Sequence, residues 1–216
     1  MSRPRFAVSR EDYLKTVWEL SRTEGKLIAA HLCRELQISS AAVSKALQRL
    51  TRNGLLSLSA GGAITLTGEG LRQAVRLVRR HRLVEKLLSE ALDYPWEEVH
   101  EEAERLEHAI SDRLEARLFA RYGGKATCPH GYPVDPRFSP RPAGRALADL
   151  EEEERGAVVR VYEKDPELLR LFAALGLKPG ARVRLRRRLA DDTFRVQVDR
   201  RTVQIGLKAA RGVWLG

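Results

Sequence analysis

Two cysteines and one methionine are all the sulfur residues in this chain of 216, and aromatic residues make up only 6% of it. Cys33 and Cys128 are too few for a disulfide framework, which argues against a small secreted scaffold. No apolar run approaches the roughly 20 residues that a membrane span needs. The opening stretch MSRPRFAVSRED has no hydrophobic signal core, so the expected compartment is the cytoplasm. What the chain does have is charge. Residues are 43% hydrophobic and 31% charged, an ordinary globular balance, with length enough for two or three small domains.

The net charge is +10. Residues 1–70 carry 10 basic and 6 acidic side chains, 71–125 carry 11 of each, and 126–216 carry 18 and 12. Such an excess favours an anionic partner, most simply nucleic acid. Genome bias or thermal adaptation also produces arginine-rich chains, so charge alone does not decide the matter.

Ser9-Arg-Glu-Asp12 has the form of a capping box opening a helix through Leu20, with Leu14, Val17, Trp18 and Leu20 on its apolar face. Gly25 interrupts, and 26–36 reads as a second helix. Ser39 is a good N-cap for a third, in which Val43, Leu47 and Leu50 repeat at helical spacing. Ser39, Ser40, Ala41, Ala42, Ser44 and Lys45 occupy its first, solvent-facing turns, and Arg49 and Arg52 follow. After Gly54, LLSLSAGGAITLT reads as a hairpin. Three short helices and a hairpin are the order of a winged helix-turn-helix. Small residues at the start of the third helix let its backbone enter the roughly 12 Å major groove, where Lys45, Arg49 and Arg52 can reach base edges or phosphates. A generic helical bundle with a surface hairpin is the blander alternative.

Thr67 caps a long helix to about Leu92. The next is expected to run from Pro95 to about Tyr122 as one element. On it His100, Glu104, Glu107 and His108 fall within one arc of roughly 100°. Two imidazoles and two carboxylates on one face suit manganese, iron or zinc. The competing account is a solvated acidic helix, since Glu97, Glu98, Glu101 and Glu102 crowd the same segment. Upstream, His81 and Glu85 at i, i+4 strengthen the metal reading. A second stripe, Val99, Ala103, Leu106, Ile110 and Leu114, is apolar. Two long amphipathic helices offer more apolar surface than one small domain needs, which points either to a dimer interface or to an intramolecular core.

From Cys128 to Pro142 five prolines impose a loop. Cys128 and His130 have no second Cys/His pair at ligand spacing and are not assigned to a zinc site. ALADLEEEERG reads as a short acidic helix or tether. From Ala157 a strand, a helix and three further strands suggest a small β-barrel of about 60 residues. Arg182, Arg184, Arg186 and Arg188 alternate along one of those strands, which reads as a solvated face.

The segments EDYLKTVWEL (11–20), RRHRLVEKLL (79–88), PWEEVHEEAERLEHAISDRLE (95–115) and CPHGYPVD (128–135) resemble the diphtheria-toxin-repressor family of metal-dependent transcriptional regulators. The terminal part resembles the SH3-like domain of its longer members. The resemblance implies a mainly α protein with a small β part: a winged helix-turn-helix domain at 1–72, a helical metal-binding and dimerisation domain at 73–141, a linker at 142–155 and an SH3-like domain at 156–216. It implies a primary metal site at Asp12, Glu104, Glu107 and His108, and an ancillary site at His81, Glu85 and His100 with Glu163 as a further ligand. Where iron-type members have cysteine and methionine, this chain has Glu104 and Asp12; oxygen replaces sulfur twice, which favours Mn(II) alongside Fe(II). Lys15 stands where the short manganese-type members have a carboxylate, which argues against their closely spaced two-metal cluster. Arg160 stands where another ligand of the terminal domain would be expected.

The implied function is a cytoplasmic, homodimeric, non-enzymatic repressor of metal-homeostasis genes that binds a palindromic double-stranded DNA operator when Mn(II) or Fe(II) is bound. Alternatives are a metal-independent winged-helix regulator and a His/carboxylate metalloenzyme. For the latter, Val78 and Arg105 stand where Glu-x-x-His would need glutamate ahead of His81 and His108, and His-Glu-x-x-His is absent from the sequence.

Overall fold

The computed structural model describes residues 8–138 and 144–216. Pro140 and Pro142 of the proline-rich stretch, and the start of the expected linker, lie outside them. The chain divides into two compact units, one up to Arg79 and one from Arg80 onward.

In the first unit, α1 (Arg10–Leu20) starts at the expected capping box: the Ser9 hydroxyl accepts from the Asp12 backbone N–H at 3.1 Å and the Asp12 carboxylate accepts from that of Ser9 at 2.7 Å. Helix α2 (Ala29–Leu36) is shorter than expected. Lys26–Ile28 stay out of it because the Leu27 carbonyl accepts from the Ile64 N–H at 2.9 Å, which draws that segment toward the hairpin. Helix α3 (Ser40–Arg52) is capped by the Ser39 hydroxyl on the Ala42 N–H and buries Val43, Ala46, Leu47 and Leu50. Strands β1 (Leu56–Leu58) and β2 (Ile64–Leu66) pair antiparallel with Leu56 opposite Leu66. One core joins Leu14, Val17, Leu32, Val43, Leu50, Leu56 and Ile64.

Helix α4 (Gly68–Ala91) gives Ala74 and Val78 to that core and Leu83, Val84 and Leu88 to clusters of the second unit. Gly70 lies against the backbone of the chain before β1. A β-carbon there would stand 2.0 Å from the Leu55 carbonyl oxygen.

The single helix expected from Pro95 to Tyr122 is two: α5 (Val99–Leu106) and α6 (Asp112–Tyr122). No proline or glycine forces the break. Ser111 caps α6 by accepting from the Leu114 N–H at 3.2 Å, and Asp112 and Glu115 sit in its first turn, where anions suit the helix dipole. His108 therefore lies beyond the end of α5, and the single-face geometry expected of it does not hold. Arg80 anchors α6 to α4 through Glu115 and Asp112, each at 2.8 Å. Of the apolar stripe, Val99 and Ala103 are buried but Leu106 and Leu114 are 37% and 41% exposed in this chain.

The C-terminal part is an antiparallel sheet, β3 (Arg145–Ala146), β4 (Arg155–Val161), β5 (Arg182–Arg188), β6 (Thr193–Val198), β7 (Arg201–Gly206) and β8 (Val213–Leu215), in the order β3-β8-β4-β5-β6-β7. β3 and β7 are its two ends, so the expected SH3-like barrel is an open one. Helix α7 (Pro166–Leu175) is capped by Asp165, and the short α8 (Leu207–Arg211) and β8 had no signal of their own in the sequence. Residues 145–155 are not a free tether: Leu147, Ala148 and Leu150 are buried in the same core as Phe172 and Val196.

Gly70→Ala should destabilise the protein by about 1–3 kcal/mol, because Leu55 is backbone and cannot yield. An unfolding midpoint equal to wild type in thermal melts would show that the approach of α4 to the chain before β1 is looser than described.

Candidate metal centre

Four side chains from distant parts of the second unit converge: Glu85 on α4, His100 on α5, His130 in the loop after α6, and Glu163 just beyond β4. One ligand atom from each lies within 4.8 Å of all the others, and all four residues are buried. Glu85 is at the centre. Its Oε1 is 3.2 Å from His81 Nε2, from His100 Nδ1 and from His130 Nδ1. His130 Nδ1 is also 3.5 Å from Glu163 Oε2.

The loop that delivers His130 is built tightly. The Cys128 N–H donates to the Tyr132 carbonyl at 2.7 Å, the Gly131 N–H to Cys128, and the Val161 N–H to the His130 carbonyl at 3.0 Å. Gly131 has φ +94°, and a β-carbon there would meet the Val159 carbonyl oxygen at 2.1 Å, so the loop rests on β4 only because this residue is glycine. His130 Nε2 is 3.1 Å from the Trp96 carbonyl. That carbonyl can only accept, so Nε2 carries a proton; Nδ1 faces the carboxylates, donating to them while the ring is charged and free to offer its lone pair to a cation once that proton is lost. Trp96 is held in turn by its indole N–H on the Pro129 carbonyl at 3.0 Å.

Burial alone would raise the Glu85 pKa. The charge of His81 and the hydrogen bonds from His100, His130 and His81 outweigh it and hold the carboxyl well below its ordinary value. Burial would likewise depress His130, yet its hydrogen bonds to Cys128, Glu163 and Glu85 raise it well above the usual imidazole. Cys128, with its sulfur 3.9 Å from Glu163 Oε2, is pushed up to about 12 by burial and by Glu85 and Glu163.

Among the described residues, Glu85 Oε2 is buried with no hydrogen-bond partner, and so is His100 Nε2. An orphaned carboxylate oxygen beside two imidazole nitrogens and a second carboxylate is the donor set a divalent ion would satisfy. The residues present fit such an ion.

Of the expected ancillary set, Glu85, His100 and Glu163 are brought together. His81 also reaches Glu85 and His100, but its Nδ1 is bonded to Glu107 Oε2 at 2.5 Å. His130 was set aside in the sequence because it lacked a Cys/His pair; its partners are carboxylates 45 and 33 residues away. Arg160, expected as a departure from the ligand pattern, lies with its guanidinium over the Tyr132 and Trp214 rings, at 5.1 and 4.3 Å.

Of the expected primary set, Glu107 is buried and His108 and Glu104 are more exposed. His108 Nε2 is 3.7 Å from Glu107 Oε1, and Glu104 Oε1 is 3.6 Å from His100 Nε2. Asp12, in the first unit, is engaged in its capping box. On α3, Ser39, Ser40, Ala41, Ala42, Ser44, Lys45, Arg49 and Arg52 are all exposed, as the helical periodicity requires.

Three family descriptions match the chain in sequence: the N-terminal DNA-binding domain of iron-dependent repressors at 5–63, their metal-binding and dimerisation domain at 67–136, and the FeoA domain at 145–215. The iron-dependent repressor IdeR of Mycobacterium leprae is 33% identical over 187 residues, covering 80% of this chain and 81% of that one. The diphtheria toxin repressor of Corynebacterium jeikeium is 35% identical over 124 residues, 57% of this chain and 52% of that one. A solved manganese-dependent transcriptional repressor in complex with manganese superposes with a TM-score of 0.84 at 36% identity, covering 96% of this chain and 99% of that one. The chain belongs to the iron-dependent repressor family, the metal-dependent transcriptional regulators that include the diphtheria toxin repressor.

Glu85→Gln and His130→Ala should each weaken Mn(II) binding at one site at least tenfold, in line with losses seen on disturbing metal ligation. Isothermal titration that gives wild-type stoichiometry and affinity for both variants would remove the buried cluster as a metal site.

Proposed function

We propose that this protein is a metal-activated, DNA-binding transcriptional repressor that controls metal-homeostasis genes, and that it is not an enzyme. The observation that carries the reading is the buried quartet Glu85, His100, His130 and Glu163 with its unpartnered carboxylate oxygen, in a chain whose relatives are iron- and manganese-dependent repressors. A bound Mn(II) or Fe(II) would supply the positive charge that these carboxylates and imidazoles lack. His81 stands beside the quartet and links it to Glu107. Asp12, Glu104, Glu107 and His108 form the second ligand set on the family resemblance.

Winged helix-turn-helix residues 1–72 read DNA through Ser39, Ser40, Ala41, Ala42, Ser44, Lys45, Arg49 and Arg52, residues 73–141 bind metal and dimerise, and the SH3-like domain, into whose core Leu147, Ala148 and Leu150 of the 142–155 segment pack, follows. Leu106 and Leu114, apolar yet exposed in the single chain, support the α5–α6 side as the homodimer contact. Two recognition helices in such a dimer suit a palindromic operator with half-sites about 34 Å apart, or a multiple of that. No helix among the described residues is long and apolar enough to cross a membrane, in keeping with a cytoplasmic regulator.

Two substitutions test the reading. Lys45→Ala should weaken operator binding and reduce its salt dependence by about one phosphate contact, leaving dimerisation and metal affinity unchanged. Operator affinity equal to wild type across a salt series would remove Lys45 from the interface. Glu104→Cys should move activation toward Fe(II), Co(II) or Ni(II), because a thiolate favours softer and later ions. Identical activation profiles for the two proteins under anaerobic conditions would show that Glu104 does not set the metal choice.

A further inference from the structure

Positive charge is concentrated at the end of the chain. Residues 181–216 carry nine arginines and one lysine against three aspartates, whereas 126–180 carry eight basic and nine acidic residues. The sheet sorts these charges. On β5, β6 and β7 the residues Val183, Leu185, Phe194, Val196, Val198 and Ile205 point into the core. Their alternates form the outer face.

Part of that charge is neutralised. Arg184 and Arg186 pair with Glu153, and Arg188 turns away to donate to the Ala148 and Leu150 carbonyls at 2.7 and 2.8 Å. A register shift between Leu185 and Arg187 then sets Arg187 directly opposite Arg195. Like charges facing each other across an antiparallel ladder destabilise it. Arg182, Arg187, Arg195 and Arg200 are exposed, and among the described residues their side chains have no ion pair or hydrogen bond. Of the nearby acids, Asp191 accepts from Thr193 and Asp199 from the Arg182 backbone N–H, while Asp192 is exposed between β5 and β6. Beside the arginines on the same face lie Gln197, Thr202 and Gln204, uncharged and polar.

We propose that the outer face of β5–β6–β7 binds the phosphate backbone of double-stranded DNA without reading its sequence. The chemistry points to phosphate. Guanidinium groups, not ammonium groups, dominate the face, and their planar fork donates two hydrogen bonds to one phosphate. The face has no apolar centre of the kind a protein interface buries. The repulsion between Arg187 and Arg195 is relieved by an anion lying across both. This extends the DNA-binding reading above by giving the C-terminal sheet its own contact with the polymer.

The test uses the full-length, Mn(II)-loaded protein and a random-sequence DNA duplex, with affinity measured over a salt series. Replacing Arg187 and Arg195 together by glutamine should make the slope of log affinity against log salt shallower by about 2 and lower low-salt affinity on the order of tenfold. The same pair changed to lysine should keep the wild-type slope. Circular dichroism and Mn(II) binding serve as folding controls, since both positions are exposed. An unchanged slope in the glutamine pair overturns the proposal, as does an equal loss in the lysine pair. Wild-type binding to anionic phospholipid vesicles, lost in the glutamine pair while duplex binding is not, would assign the face to a membrane and overturn it as well. If Lys45→Ala alone moves the slope, the repressor reading stands and this surface does not. A wild type without affinity for any duplex sinks both.

Discussion

The second unit depends on one buried carboxylate. Glu85 has no exposed surface, and a charged group taken out of water costs several kcal/mol unless its surroundings offset the loss. Here three imidazoles, from α4, α5 and the 128–133 loop, point at one of its oxygens, while the other has no hydrogen-bond partner among the described residues. A carboxylate oxygen with two lone pairs cannot satisfy three imidazoles and leave its neighbour empty without tension. A cation among these groups resolves it, and the same surroundings that hold Glu85 ionised make it a ready ligand.

Everything that brings the ligands together is local and physical. Gly131 lets the loop rest on β4, the Trp96 carbonyl fixes which nitrogen of His130 faces inward, and Ser111 starts α6 after α5 has ended at Leu106. The break between α5 and α6 also leaves Glu107 buried against His81. His81 therefore stands between two buried carboxylates: its Nε2 faces Glu85 and His100, and its Nδ1 faces Glu107.

Much of the fold was legible because its signals are short-range. The Ser9–Asp12 capping box, the Ser39 cap and the hydrophobic spacing of Val43, Leu47 and Leu50 need only a few neighbouring residues to be read. The candidate site was legible where its residues share a helix, as Glu85 does with its neighbour His81. His130 was not, because its partners lie far away in sequence, and a search for paired cysteine and histidine passes over a histidine completed by glutamates. The break at 107–111 was missed for the opposite reason: Ser111-Asp112 is a start signal embedded in a stretch whose apolar spacing reads straight through it. Helix α8 and strand β8, five and three residues long, owe their form to the sheet they complete.

Metal bound among these residues is proposed to govern DNA binding. The most direct measurement is the affinity of the full-length protein for operator DNA, selected from its own genome, as a function of free Mn(II) set by a chelator. Operator binding should rise by orders of magnitude as Mn(II) binds and be abolished when the chelator removes the metal. Operator binding of equal strength with and without metal would contradict that proposal.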